Sequence, residues 1–168
     1  MAKKIDPLNK KNYGALSVML TVADVKAAMT FYQKAFGFQK RGLMNGPDGK
    51  PMHAELRLRD TTLMLGPEYP SFGMKGPKAL GGTPSTLYLY VDNADQVYAK
   101  AVQLGATAMM PVKDEFWGDR AGVLVDPEGH TWMIATHAAE PTPAEMRKKM
   151  KAQMSQMAAK GQAGGGTA

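Results

Sequence analysis

The sequence predicts an α+β fold built from two βαβββ modules, followed by a C-terminal helix. Three observations predict it. Residues 16–65 and 85–134 read as two imperfect copies of one unit. A slide of 69 residues sets Ser17 on Thr86, Val22 on Val91, and Thr62-Leu63-Met64 on Thr131-Trp132-Met133. Matches at both ends of the unit under one offset mark a repeat, and a repeat fixes the architecture before any single element is assigned. Within each copy an apolar run, a short acidic turn and a helical stretch lead to a glycine, Gly37 or Gly105.

Taken in order, Leu16–Val22 alternates imperfectly and is rich in Val, Leu and Met, as a largely buried strand requires. Asp24 is an N-cap candidate. Ala27, Ala28, Phe31, Tyr32, Ala35 and Phe36 recur at helical spacing, and Gly37 suits the left-handed residue that ends a helix. A strand at about 40–46 leads to NGPDGK (45–50), which has turn chemistry. His53–Arg59 alternates, with His53, Glu55, Arg57 and Arg59 on one face and Ala54, Leu56 and Leu58 on the other. Asp60-Thr61 turns the chain into a strand over Thr62–Leu65. Residues 67–84, rich in Gly and Pro, form a linker or mobile loop, and Phe72 and Met74 within it are lid candidates. The second module follows as strand 86–91, helix 94–104 after Asn93, and strands 106–110, 120–125 and 130–136, with a turn at DPEG (126–129). Module one spans 15–66 and module two 85–137, forming one domain. Residues 1–14 are a basic arm, and 138–168 hold a helix over 143–160 and a disordered end, GQAGGGTA. Met146, Met150, Met154 and Met157 make one stripe on that helix. The stripe reads either as a surface docked on its own domain or a dimer mate, or as a partner-binding surface.

Composition narrows the function. The 168 residues are 44% hydrophobic and contain no cysteine, so disulfides, thiolate metal sites and a cysteine nucleophile are excluded. A cytoplasmic location is the expectation, since no apolar stretch follows the basic N-terminus as a signal peptide needs. No stretch approaches the roughly 18 apolar residues of a membrane span. The net charge of +6 resides in the tails, with +3 over residues 1–13 and +3 over 138–168. The neutral body argues against a nucleic-acid partner, which calls for a basic face on the domain itself. No nucleotide-binding glycine motif lies between a strand and a helix.

LTVADVKAAMTFYQKAFGF and LVDPEGHTWMIATH resemble the two ends of a vicinal-oxygen-chelate protein, the glyoxalase, bleomycin-resistance and extradiol-dioxygenase superfamily. MHAELRL followed by FWGDRAGVLVDPEGHTWMIATH is similar to its PhnB-like branch. The resemblance covers about residues 15–137. It implies curled mixed sheets forming a cup, often completed across a homodimer. In metal-using relatives, one residue from the first strand and one from the last strand of each module face the cup and hold a divalent metal. The corresponding positions here are Ser17, Met64, Thr86 and Met133. Two hydroxyls and two thioethers do not suit a hard divalent cation, so no metal and no cofactor is expected.

Two functional readings follow. The first is a metal-free protein binding a small organic molecule in an apolar cup lined by Met64, Met133, Trp117 and Tyr88, for sequestration or resistance. Trp117 offers a flat aromatic surface and Arg120 a fork for a carboxylate or phosphate; equally, Trp117-Gly118-Asp119-Arg120 reads as a structural hairpin. The second is an isomerase, lyase or dioxygenase-type enzyme acting on a small oxygenated substrate with His53, Glu55 and Arg120. His53 and Glu55 then form a general base with its orienting carboxylate, or half of a displaced metal site, against the alternative of a polar sheet face. His130 is expected as an exposed turn residue, and His137 ends the last strand.

Overall fold

The structure, a computed structural model, describes residues 6–163; Lys3, Lys4 and the last five residues lie outside them. Two four-stranded mixed sheets are present, β1-β4-β3-β2 and β5-β8-β7-β6. The first module comprises β1 (Val18–Val22), α1 (Val25–Phe36), β2 (Gln39–Asn45), β3 (Pro51–Leu58) and β4 (Thr61–Pro67). After a short helix α2 (Pro77–Leu80) come β5 (Thr86–Tyr90), α3 (Ala94–Gln103), β6 (Thr107–Asp114), β7 (Asp119–Val125) and β8 (Thr131–His137). Helix α4 (Pro143–Ala163) closes the chain.

The 69-residue repeat is a repeat of register. The parallel pair β1–β4 sets Met19 beside Met64, and the parallel pair β5–β8 sets Tyr88 beside Met133. Both helices start as their sequences direct. The Asp24 carboxylate accepts from the amides of Lys26 and Ala27, at 2.8 and 3.0 Å, and Asn93 accepts from Gln96 at 3.0 Å, satisfying donors that have no partner inside the helix. Gly37 ends α1 in the left-handed region at φ 79°.

Alternation along each strand sends one set of side chains to the helices and the other outward. The inward set forms a single core. Leu20, Val22, Leu63 and Leu65 pack on α1, and Trp132 of β8 meets Phe36 and Tyr32 of α1 with ring centroids 4.8 and 5.4 Å apart. The DPEG turn fastens this junction. Asp126 accepts from the Tyr32 hydroxyl (2.6 Å), Trp132 Nε1 (2.7 Å) and the amides of Glu128 and His130, both at 2.9 Å. Glu128 takes the Ala23 amide at 2.6 Å.

Several expectations require correction. His130 is buried, with Nε2 3.0 Å from the Thr21 carbonyl, because the turn that carries it is wedged against β1. Arg59 does not continue the alternation; it sits at φ 53° in the turn before β4 and donates to the Tyr90 carbonyl. Strand β6 runs on to Asp114, with its register broken where Pro111 lacks a donor. The linker is folded: Tyr69 and Met74 bridge, and Gly76 donates to Glu68 at 2.7 Å. Phe72 points to solvent. Helix α4 continues past residue 160 to Ala163. Its start is a capping box, with the Thr142 amide and hydroxyl each 2.8 Å from Glu145. Met150 and Met154 are exposed, so this part of the stripe does not dock on its own domain; the Met157 side chain lies outside the described residues. No helix among the described residues is long and apolar enough to cross a membrane.

Candidate functional site

The outward faces of the two sheets carry the candidate residues. On the first sheet, register places Met19, Met64 and Glu55 in one row across β1, β4 and β3, and Thr62 and Arg57 in the next. Ser17 directly precedes β1 and is half-buried; His53 is two residues from Glu55 on the same face. His53 Nε2 lies 3.6 Å from Glu55 Oε1. The same carboxylate accepts from the Tyr13 hydroxyl at 2.7 Å and faces Arg41 Nε at 3.6 Å. The Tyr13 hydrogen bond holds the Glu55 carboxyl below its ordinary value; partial burial opposes this, and His53 and Arg41 reinforce it.

On the second sheet, Tyr88 stands in a row with Met133 and Val123, while Tyr90 is level with Ala135 and Ala121. Thr86, the first residue of β5, is exposed and pairs with Thr131. The centre of this face is Asp119, only 2% exposed. Its Oδ2 accepts from Tyr90 (2.8 Å), Tyr88 (2.9 Å) and Trp117 Nε1 (2.9 Å), and its Oδ1 faces His137 Nδ1 at 3.0 Å. Burial works against the ionised form of Asp119, but the hydrogen bonds from His137, both tyrosines and Trp117 outweigh it and lower its pKa. The bond to Asp119 raises the pKa of His137. Burial and Asp119 together push Tyr88 upward. A protein interior holds such a carboxylate only when it is fully hydrogen-bonded. The bend that delivers Trp117 and Asp119 needs Gly118. Its φ is 103°, and a Cβ there would fall 2.0 Å from the Ala139 carbonyl oxygen.

Arg120 is placed differently from the sequence expectation. It extends toward α3, where Nε and Nη2 grip Asp95 at 2.6 and 2.7 Å, and Nη1 meets Asp114 at 3.0 Å. Its neighbour across the strands, Thr136, accepts the Ala94 amide at the start of the same helix. Arg120 therefore ties β7 to α3, since alternation gives it the opposite face from Ala121 and Asp119. It does not meet His53 and Glu55. The structure adds Asp119, His137, Tyr90, Arg41 and Tyr13 to the candidate residues. The alternation of TLYLY signals that Tyr88 and Tyr90 share a face; nothing local signals that Asp119 joins them.

The Ser17, Met64, Thr86 and Met133 donor set, two hydroxyls and two thioethers, does not fit a hard divalent cation. Among the described residues no group of three or more His, Asp or Glu side chains is gathered as a metal site. A cleft of about 440 Å³ between α1 and the DPEG turn contains Asp126 and Glu128, both already committed to the module junction. A smaller one of about 320 Å³ separates the edges of β1 and β5, touching Val18, Leu63, Thr86, Tyr88 and Tyr90.

Comparison with known proteins agrees with this architecture. The family model described as the glyoxalase/bleomycin resistance protein/dioxygenase superfamily matches residues 14–134. Uncharacterized proteins of Mycobacterium bovis and Mycobacterium tuberculosis are 41% identical over 142 residues, spanning 83% of this chain and 93% and 84% of theirs. TioX of Micromonospora sp. ML1 superposes with a TM-score of 0.59 at 25% identity, covering 74% of this chain and 99% of its own. The fosfomycin resistance protein FosX of Mesorhizobium loti shares the fold at 14% identity, with a TM-score of 0.55 and coverage of 79% and 95%. By sequence, fold and register of its repeat, the chain belongs to the glyoxalase/bleomycin resistance protein/dioxygenase superfamily.

Proposed function

We propose that this protein binds a small organic molecule, without a metal, on the outward faces of its sheets, and that it works by sequestration or resistance as a PhnB-like member of the superfamily. The observation that carries this reading is the exposure of large apolar and aromatic side chains where a solvated sheet would hold polar ones. On the first sheet Met19 is 46% exposed, and on the second Tyr88 is 45% and Tyr90 43% exposed, both tyrosines joined to Asp119. Clustered exposed apolar surface of this kind marks a binding surface. A homodimer in the cytoplasm is part of the proposal: β1 and β5 are edge strands with no pairing between them, and a second copy would cover the open faces. A thermal-shift screen of metabolites and antibiotics, followed by Trp fluorescence, tests it. A ligand should stabilise the fold by mass action, and Tyr88→Ala should weaken binding about tenfold, within the energy of one aromatic contact. The absence of any hit, or a hit indifferent to Tyr88, sinks the reading. One Mn, Fe, Co, Ni or Zn per chain, measured by elemental analysis of protein purified without chelator, would sink its metal-free part.

One observation supports a second reading, an enzyme acting on a small oxygenated substrate. His53 adjoins a carboxylate that Tyr13 and Arg41 keep ionised, as a base with an orienting partner requires. Arg120 has no place in it. His53→Ala should then abolish turnover while leaving ligand affinity intact.

A further inference from the structure

The sequence sets residues 1–14 apart as a basic arm outside the domain, yet Asn12 and Tyr13 lie on the outward face of the first sheet. The carbonyl oxygen of Asn12 receives three side-chain donors at once: Arg41 Nη1 at 2.7 Å, Arg57 Nη1 at 3.1 Å and Thr62 Oγ1 at 3.3 Å. These come from β2, β3 and β4 respectively. Tyr13 anchors the arm beside them, with its hydroxyl on Glu55 and its ring 4.9 Å from the Arg41 guanidinium carbon.

We propose that Arg41, Arg57 and Thr62 form a binding site for a ligand oxyanion, a carboxylate or a phosphate, and that the Asn12 carbonyl is its internal stand-in, displaced when ligand binds. The inference rests on the reading that this face takes the ligand.

Three features support it. A carbonyl oxygen has two lone pairs, so three donors exceed what it can satisfy, whereas a carboxylate offers about four acceptor positions and a phosphate more. Charge points the same way. Two guanidinium groups, Arg41 and Arg57, meet at the neutral Asn12 carbonyl, and among the described residues only Arg41 is paired with a carboxylate, Glu55 at 3.6 Å; an oxyanion would neutralise the remaining charge through stronger, charge-assisted bonds. Two of the donors are also held in place without the arm: Arg57 Nε donates to the Arg59 carbonyl at 3.0 Å, and Arg41 Nε lies 3.6 Å from Glu55. The arm is the looser party. Among the described residues its remaining bonds are local: the amides of Leu8 and Lys10 donate to Asp6 and the Asn12 side chain donates to Asn9, while Lys10 and Lys11 are exposed.

The test uses the full chain at constant ionic strength, titrated in parallel with inorganic phosphate and with butyrate. Arginine Nε–Hε NMR signals report the site, and the rate of tryptic cleavage after Lys11 reports the arm, because Asn12 must leave the sheet to enter a protease. At least one anion should saturably shift the Arg41 and Arg57 signals and speed cleavage several-fold; which of the two does so assigns the oxyanion. Tyr13→Ala, which loosens the arm, should tighten anion binding about tenfold, since it removes a hydrogen bond to a charged group. Arg57→Gln should weaken binding by about the same factor and remove the acceleration. Circular dichroism checks that both variants fold. The inference falls if neither anion saturates the arginine signals even in Tyr13→Ala, or if they saturate while cleavage after Lys11 is unchanged. An organic ligand that binds at Tyr88 and leaves the arm in place would overturn this inference alone, and an anion response without any organic ligand would leave it standing alone.

Discussion

The two sheets share strand order and register, yet their outward faces carry opposite chemistry. Relative to the Met64 and Met133 rows, His53, Glu55 and Arg57 of β3 occupy the positions that Ala121, Val123 and Val125 occupy in β7. Conversely, Met19 and Thr21 of β1 correspond to Tyr88 and Tyr90 of β5. One half presents charge and the other an aromatic and apolar surface. The inward positions have no such latitude, because Leu20, Leu63, Leu65, Leu89, Trp132 and Ile134 share one core and a one-residue slip would turn them all to solvent. A duplicated backbone thus dictates where side chains point without dictating what the outward ones do.

The sharpest way to break this division is to compare two carboxylates of the second module. Asp126→Ala should destabilise the fold by about 4 kcal/mol, because it strands Tyr32, Trp132 and two buried amides without an acceptor. Asp119→Ala should cost about 1–2 kcal/mol, since the Tyr88, Tyr90 and His137 donors it frees reach water. Urea midpoints measure both, and equal losses would mean that Asp119 is a core group rather than part of an open face.

Glycines make a second contrast. Gly118→Ala should cost roughly 3 kcal/mol, from left-handed strain plus the collision with Ala139. Gly37→Ala has the strain but nothing within 4 Å of the new Cβ, so about 1 kcal/mol is expected. Thermal unfolding of the two variants gives the difference.

The second face should carry a pH dependence of its own. The folded pKa of His137 is raised by Asp119, so its contribution is fully present below the unfolded value near 6.5 and fades as pH rises through the higher folded value. Asp119 is depressed, so its contribution is present above about pH 4 and fades as pH falls through its folded value. The stability gap between the wild-type protein and His137→Gln should therefore be widest near pH 5–6 and close at alkaline pH. A gap that widens with rising pH would contradict the hydrogen bond between them.

The smallest effect belongs to Arg120. Arg120→Gln should shift the urea midpoint least of these variants, as loss of an exposed ion pair does, and leave ligand affinity unaltered by calorimetry.

Much of this could be read along the chain. The offset of 69 anticipated two modules of one element order, Asp24 and Asn93 announced their helices, and MHAELRL placed His53 and Glu55 on one face. Asp119 could not be read, because its partners arrive from β5, β8 and the turn before β7. Arg120 was assigned to the ligand because a sequence shows a guanidinium but not that Asp95, 25 residues upstream, already holds it. The docking of the arm is not legible in the sequence because its anchors, Arg41, Arg57 and Thr62, lie 29 to 50 residues away.

The sequence by itself determined the scaffold of two βαβββ units. That follows from period and spacing, which act over a turn or a strand. Only the tertiary structure decided which polar groups meet. It buried His130 against β1, gathered two tyrosines, a tryptophan and a histidine on Asp119, turned Arg120 to α3, and laid Asn12 on the first sheet. Hydrogen-bond partners are chosen by proximity in space, and alternation specifies a face but not what lies across from it.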